Sequence, residues 1–330
     1  MKKSVLELKN PEIISKESRM GMQTKNTLNT TLLIGNGLNR CLEHSISWGD
    51  LLAEIASNYG VHYNGGIPMP LEFESIVNQI LRNQADPSTA IYTEIKKAVA
   101  EKVKNTKLPN NAIHHQLATL PVSAIMTTNY DNLLEYVYNP LYTYQGQKNK
   151  TYLFEATSVL NNVPFFHIHG HADSPRTICL GYEHYMGVVE NLRREINTEE
   201  KGISGKMKIR EVLVDPSKRT YTWYERFYTD NIHIVGLGLS ESEADLWWLI
   251  THRAYLYYTN YYDVKSALNN QITYYDIVDP QKVDEKAQKE QIHYMLSNAN
   301  VIVEKYTIGE NCLSYEDGYL MIFKSIKDKR

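Results

Sequence analysis

Val122-Ser123-Ala124-Ile125-Met126-Thr127-Thr128-Asn129-Tyr130-Asp131-Asn132-Leu133-Leu134 is the stretch whose reading decides the fold. Ser123 to Met126 is small and apolar, as suits a strand covered on both faces. Leu133, Leu134 and Val137 then recur at helical spacing. The stretch therefore reads as a strand, a polar turn and a helix, with Asn129 and Asp131 at the junction. In an open α/β sheet such junctions, at the carboxyl ends of strands, are where ligands bind.

Other apolar runs end in the same way. Thr30 to Ile34 leads into Gly35-Asn36-Gly37, the run from Pro164 leads into His169-Gly170, and Asn231 to Val235 leads into Gly236-Leu237-Gly238-Leu239-Ser240. Ile272 to Val278 and Val301 to Val303 read as further strands, and Ile178 to Leu180 as a small one. Helical patterns fall at 48–59, with Ser47 as N-cap, at 111–120, 221–228, 242–258 and 281–297, and at 183–215 with a break around Gly202 to Gly205. Residues 71–105 read as two helices interrupted near Asp86-Pro87, a helical insertion between the first two strands. Pro140 to Asn162 is irregular and rich in tyrosine, with room for a hairpin. Strands alternating with helices predict an α/β fold with a doubly wound, mainly parallel sheet. The expected organisation is an N-terminal arm at 1–29, a domain at 30–305 and a tail at 306–330 packed on or extending it.

Bulk composition narrows the function classes. A formal charge of −3 argues against a broad electrostatic nucleic-acid surface. The cysteines, Cys41, Cys179 and Cys312, are far apart and form no CxxC pair, so neither a disulfide framework nor a cysteine zinc site is expected. No apolar run approaches the roughly 20 residues of a membrane span, and no secretory signal follows the first lysines, so a cytoplasmic location is expected. The sequence has 25 Tyr against 6 Phe, which hints at surfaces that meet a partner. Tyr136 to Tyr152 and Tyr255 to Tyr262 are the candidate contact stretches.

The strand ends carry the candidate chemistry. Gly35-x-Gly37 suits close backbone approach to phosphates, or simply a turn that needs glycine. Asn129 and Asp131 could face a crevice or cap the next helix. His167, His169 and His171 alternate. They could form a metal cluster, all three could be purely structural, or His169 beside the glycine turn could be a general base while the others pack or lie at the surface. Gly238, Ser240 and Asp245 could cradle a ribose or adenine, or make an ordinary strand-to-helix turn. His114-His115 reads as a packed or exposed pair. There is no Gly-x-Ser-x-Gly elbow, P-loop or HExxH motif.

Taken in order, Leu33-Ile34-Gly35-Asn36-Gly37-Leu38-Asn39, Ser47-Trp48-Gly49-Asp50-Leu51-Leu52, Thr127-Thr128-Asn129-Tyr130-Asp131, His169-Gly170 and Gly236-Leu237-Gly238-Leu239-Ser240 with Asp245 resemble the bacterial sirtuin-like family over about residues 30–305. The resemblance implies a Rossmann-like sheet with NAD⁺ as substrate. It implies that Gly35, Asn36 and Gly37 line the phosphates. Asn129 would orient the nicotinamide ribose and a water, Asp131 would lie near the nicotinamide amide, and His169 would be the base on a ribose hydroxyl. Gly238, Ser240 and Asp245 would contact the adenosine half. The four-cysteine zinc module of the deacylases has no counterpart here, so no metal is expected and deacylation is disfavoured. Zinc-free relatives look like NAD⁺-cleaving effectors of anti-phage defence. The expected function is thus an NAD⁺ glycohydrolase gated by a partner or by assembly, as a homo-oligomer or a complex with an operon-encoded regulator. The alternative is a module that holds NAD⁺ or ADP-ribose without chemistry.

Overall fold

The computed structural model describes residues 28–106, 108–109, 111–146, 150–196, 208–260 and 264–329. Most of the expected arm, the expected break at Gly202 to Gly205, and Tyr261 and Tyr262 lie outside these residues. The chain runs β1 (Thr30–Ile34), α1 (Trp48–Asn58), α2 (Met69–Asn83), α3 (Ile91–Asn105), α4 (Ala112–Ala118), β2 (Ala124–Thr127) and α5 (Leu133–Tyr138). It continues through β3 (Ser158–Leu160), β4 (Val163–His167), α6 (Tyr182–Ile196), α7 (Lys208–Val214), α8 (Trp223–Thr229) and β5 (Asn231–Val235). It closes with α9 (Ala244–Thr259), β6 (Ile272–Val278), α10 (Val283–Asn298), β7 (Val301–Thr307) and α11 (Tyr315–Asp328).

The strands form one sheet in the order β3-β4-β2-β1-β5-β6-β7. All neighbouring pairs are parallel except β3 and β4. The parallel strands run outward from β1 in both directions, as in Rossmann-like doubly wound sheets, and the order reverses between β1 and β5. The central strands are short and apolar because both faces are covered. Leu33, Met126, Phe166 and Ile234 pack on one face against Tyr185 and Leu192 of α6, Trp223 and Phe227 of α8, and Leu246 and Leu249 of α9. Leu32, Ile34, Ile125, Phe165 and Val235 pack on the other against Ile113 and Leu117 of α4 and Tyr319, Ile322 and Phe323 of α11. Successive residues of β1 thus serve opposite faces, the period-two pattern of a pleated strand.

A third apolar cluster belongs to α1–α3. It joins Leu52, Phe73, Ile76, Ile95 and Val99 to Ala172, Ile178 and Leu180 in the segment after β4. The helices between the first two strands are therefore fastened over the carboxyl end of the sheet. Their first turn is fixed locally: Ser47 and Asp50 make a reciprocal capping box at the start of α1.

Two expectations need correction. Ile178 to Leu180 is extended but pairs with no strand; the Cys179 N–H donates to the His169 carbonyl at 2.8 Å instead. Strand β4 stops at His167 rather than running to Gly170. There the Gly170 N–H donates back to the His167 carbonyl, and φ of +102° at Gly170 turns the chain. A Cβ at Gly170 would also run into the Thr177 carbonyl, so glycine is required twice over. The alternation of the three histidines is broken at that point.

Candidate functional site

The carboxyl ends of the central strands are level. Val235 pairs with Ile34, Ile34 with Thr127, and Thr127 with His167. The loops that follow these residues stand side by side and bound a cavity of about 340 Å³. That lies within the range of about 300–1,000 Å³ common for ligand pockets. It opens at the reversal of strand order, where doubly wound sheets bind ligands. Leu51 of α1, Val103 of α3 and Leu108 supply an apolar roof.

The β1 loop contributes Asn36 and Gly37. Asn36 is anchored by its amide, which donates to the Ile46 carbonyl at 3.0 Å. Gly35 does not line the cavity; a Cβ there would meet Gly236 O at 2.5 Å and Leu237 Cα at 2.6 Å, so its smallness serves packing between the β1 and β5 ends. Gly238 differs. It lines the cavity and a Cβ would project into open space, so the protein's own packing leaves room there for a ligand close to the backbone.

The β2 loop contributes Thr128, Asn129, Tyr130 and Asp131. The Asn129 backbone is held twice: its N–H donates to Thr127 Oγ1 at 3.0 Å, and its carbonyl accepts from His167 Nδ1 at 2.8 Å. Its side-chain Oδ1 is buried and has no partner among the described residues. A buried acceptor left open is costly unless a ligand or water completes it. Asp131 is satisfied within the protein: Oδ1 accepts the Leu133 N–H at 2.9 Å and Oδ2 accepts Asn39 Nδ2 at 3.0 Å. Asn39 is in turn held by buried His114, whose Nε2 lies 3.1 Å from its Oδ1. Burial raises the Asp131 carboxyl above its usual range, despite the Leu133 N–H and nearby His167.

The histidines divide their duties. His167 Nε2 lies 2.8 Å from Glu135 Oε1, and both side chains are fully buried. Burial opposes a charged ring, but Glu135, the Asn129 carbonyl and Asp131 outweigh it and raise the His167 pKa. His171 Nε2 lies 2.6 Å from Asn132 Oδ1, and its Nδ1 accepts the Asp173 N–H at 2.9 Å. Glu135, His167 and His171 place their donor atoms within 4.8 Å of one another, as a three-ligand metal set would. Every ring nitrogen in that set is already hydrogen-bonded, so the rings form a polar network that fixes residues 129–135, while Glu135 Oε2 is buried with no partner among the described residues. His169 alone of the three lines the cavity.

The family model for a SIR2-like domain matches residues 123–236. That supports a sirtuin-like family. SIR2-like domains use NAD⁺, and the match connects the chain with NAD-related activity. The matched SIR2-like segment holds Asn129, Asp131, His167 and His169; β1, β6 and β7 lie outside it. A search of curated proteins found no match.

Beyond the SIR2-like segment, the start of α9 differs from expectation. Asp245 is fully buried and does not line the cavity. Its carboxylate oxygens lie 3.1 and 3.3 Å from His169 Nε2, so it sits behind the histidine rather than against an adenosine half. Ser240 does not line the cavity either; its Oγ donates to Glu243 Oε2 at 2.9 Å, and its carbonyl accepts from Trp247 Nε1. Glu243, Tyr185 and Trp48 do line it. Burial raises the Glu243 carboxyl above its usual range, against the pull of His169 and Ser240. Trp48 stands in the first turn of α1, and its indole N–H is buried without an acceptor among the described residues. No sequence spacing points to Tyr185, because it reaches the cavity from α6, distant in the chain from the strand ends; Glu243 stands at the N-cap of α9, just past the loop after β5, where an acid is ordinary at a helix start. Among the described residues, no helix is long and apolar enough to cross a membrane.

Proposed function

We propose that the protein is an NAD⁺ glycohydrolase that acts as an effector of anti-phage defence, depleting NAD⁺ once a partner or self-assembly releases it. One observation carries this reading: His169 and Asn129, from adjacent strand ends, reach the same cavity at the sheet's reversal, and the buried Oδ1 of Asn129 has no partner among the described residues.

NAD⁺ and water give nicotinamide, ADP-ribose and a proton. The bond from the ribose carbon to the pyridinium nitrogen breaks, its electron pair stays with nicotinamide, and the water oxygen bonds to the ribose carbon. Positive charge gathers on the ribose in the transition state, and a dry site with fixed anionic and dipolar groups favours it. Asn129, held by Thr127 and His167, orients the attacking water. His169 takes up the released proton, directly or through a ribose hydroxyl. Gly238 leaves the backbone open to the adenosine half, while Gly37 lines the cavity but is small for packing, since a Cβ there would meet the Gly236 carbonyl at 2.7 Å. The apolar roof from α1 and α3 covers part of the cavity and limits the access of bulk water to it.

The partner dependence rests on an argument about the cell: an ungated NAD⁺ hydrolase would poison its host. Tyr136, Tyr255 and Tyr258 are 42%, 52% and 56% exposed, and they offer amphipathic surface to a second copy or a regulator. Light scattering of the protein with and without its operon neighbours tests this. A dimer or larger species, or a stable hetero-complex, is expected, and a monomer under both conditions contradicts it.

A further inference from the structure

The buried pair between His169 and Asp245 contains a carboxylate that the reaction above leaves without a role. We infer that Asp245 is the positioning residue for His169: it accepts the Nε2 proton, so the ring presents its Nδ1 lone pair to the cavity. This rests on the NAD⁺ cleavage reading and specifies how the imidazole at that site is made into a base.

An ionised carboxylate can only accept hydrogen bonds, so with oxygens at 3.1 and 3.3 Å the proton belongs on Nε2. Neutral His169 then has one tautomer, with the lone pair on Nδ1. Asp245 is the first acid of α9, fully buried beneath the loop after β5, and has no route to substrate except through the ring. The remaining groups around the ring do not compete for this task. Tyr185 of α6 stands edge-on to it at 5.1 Å, with its hydroxyl held neutral by burial. Glu243 faces the cavity and is engaged by Ser240. The Cys179 thiol is pushed up to about 12 by burial and stays neutral. Burial opposes charge on His169, yet Asp245 and then Glu243 outweigh it and raise its pKa. A carboxylate behind an imidazole thus gives a stronger base with a fixed direction.

Two measurements on the full chain test this. The first is a titration of the histidine ring nitrogens by NMR, with His169 assigned by its loss in His169→Ala. Expected are a proton on Nε2 throughout, titration of Nδ1 with a midpoint above about 6.5, and a fall of that midpoint in Asp245→Asn. A neutral ring protonated at Nδ1 overturns the inference from the parent protein alone, even if Asp245→Asn does not fold. The second is kcat/KM for NAD⁺ against pH, with partner present. The base must be neutral, so activity rises with pH through the His169 midpoint. Asp245→Asn is expected to lower the plateau by about 10²–10⁴-fold, to move that limb to lower pH, and to add no loss in a His169→Ala background. A folded Asp245→Asn with an unchanged plateau and limb overturns the inference and leaves the reaction standing. Absence of cleavage by the parent overturns the reaction, while the titration still decides the pairing.

Discussion

Two histidine–carboxylate pairs stand at the end of β4, two residues apart in sequence, and they do opposite things. His167 and Glu135 are sealed together, and the second nitrogen of His167 is spent on the Asn129 carbonyl. His169 and Asp245 are equally buried, but only Nε2 is spent, and the ring lines the cavity. A buried imidazole beside an acid is therefore not in itself a sign of chemistry. What separates the pairs is whether a nitrogen is left over and what space it faces. The turn at Gly170 makes the separation possible, because β4 ends at His167 and the chain is free to send the next histidine elsewhere.

The sharpest way to break this contrast is to delete each ring. Both His169→Ala and His167→Ala are expected to cost about 3–5 kcal/mol of stability, because each leaves a buried carboxylate, Asp245 or Glu135, unpaired. Only His169→Ala also removes a group that faces the cavity, so per folded molecule it is expected to lower NAD⁺ cleavage by about 10²–10⁴-fold, against a much smaller loss in His167→Ala. Activity assays and denaturant unfolding of both variants read the two effects. Full activity in folded His169→Ala, or an equal loss per folded molecule in His167→Ala, would erase the distinction.

Acidity separates the histidines in a second way. His167 has a raised pKa, so its contribution to stability is full below about 6.5 and is lost as pH rises through the raised value. Burial gives several other histidines the opposite sign: His114, His233 and His252 are lowered to about 4, and His184 to about 3. The unfolded chain takes up protons at these positions from about pH 6.5 downward, while the folded chain resists until about pH 4 or below. Their stabilisation is therefore lost as pH falls. Because these four outnumber the two raised histidines, His167 and His169, the thermal midpoint is expected to drop between about pH 6.5 and about pH 4, and a midpoint that rises on acidification would contradict that balance.

The smallest expected effect lies one layer further out. Asn111 caps α4 by accepting from the Ile113 and His114 N–H groups, and it also touches the ring of His114. Asn111→Ala should cost about 1 kcal/mol in denaturant unfolding. It should also loosen the His114–Asn39–Asp131 chain enough to weaken NAD⁺ binding measurably. A loss of stability with unchanged binding would limit that chain to a structural part.

The sequence made the sheet legible where both faces are covered. The runs at β1, β2 and β5 are mostly apolar, and each closes on a polar or glycine turn. It was less legible at the edges. β3 is a three-residue strand, too short for a period to show, and it pairs with β4 through Asn161 and Asn162, both at positive φ. β7 runs on to Thr307 through Glu304 and Lys305, polar because an edge strand meets water. At the site, residues next to a strand end could be read directly, as with Asn36, Gly37, Asn129, Asp131, His169 and Gly238, all of which line the cavity. The position of Asp245 could not, because its contact with His169 spans a separation of 76 residues and leaves no local pattern. Gly35 and Ser240 sit on the right loops but face packing and a neighbouring acid instead.

The measurement that bears most directly on the whole account is release of nicotinamide and ADP-ribose from NAD⁺. It should be followed with the purified protein alone, with its genomic neighbours, and with the His169→Ala and Asn129→Ala variants. The account predicts stoichiometric release of both products by the parent once its partner or assembly is supplied, and none above background from either folded variant. Release at the parent rate by either variant, or NAD⁺ left intact by the parent under every activating condition, would contradict it.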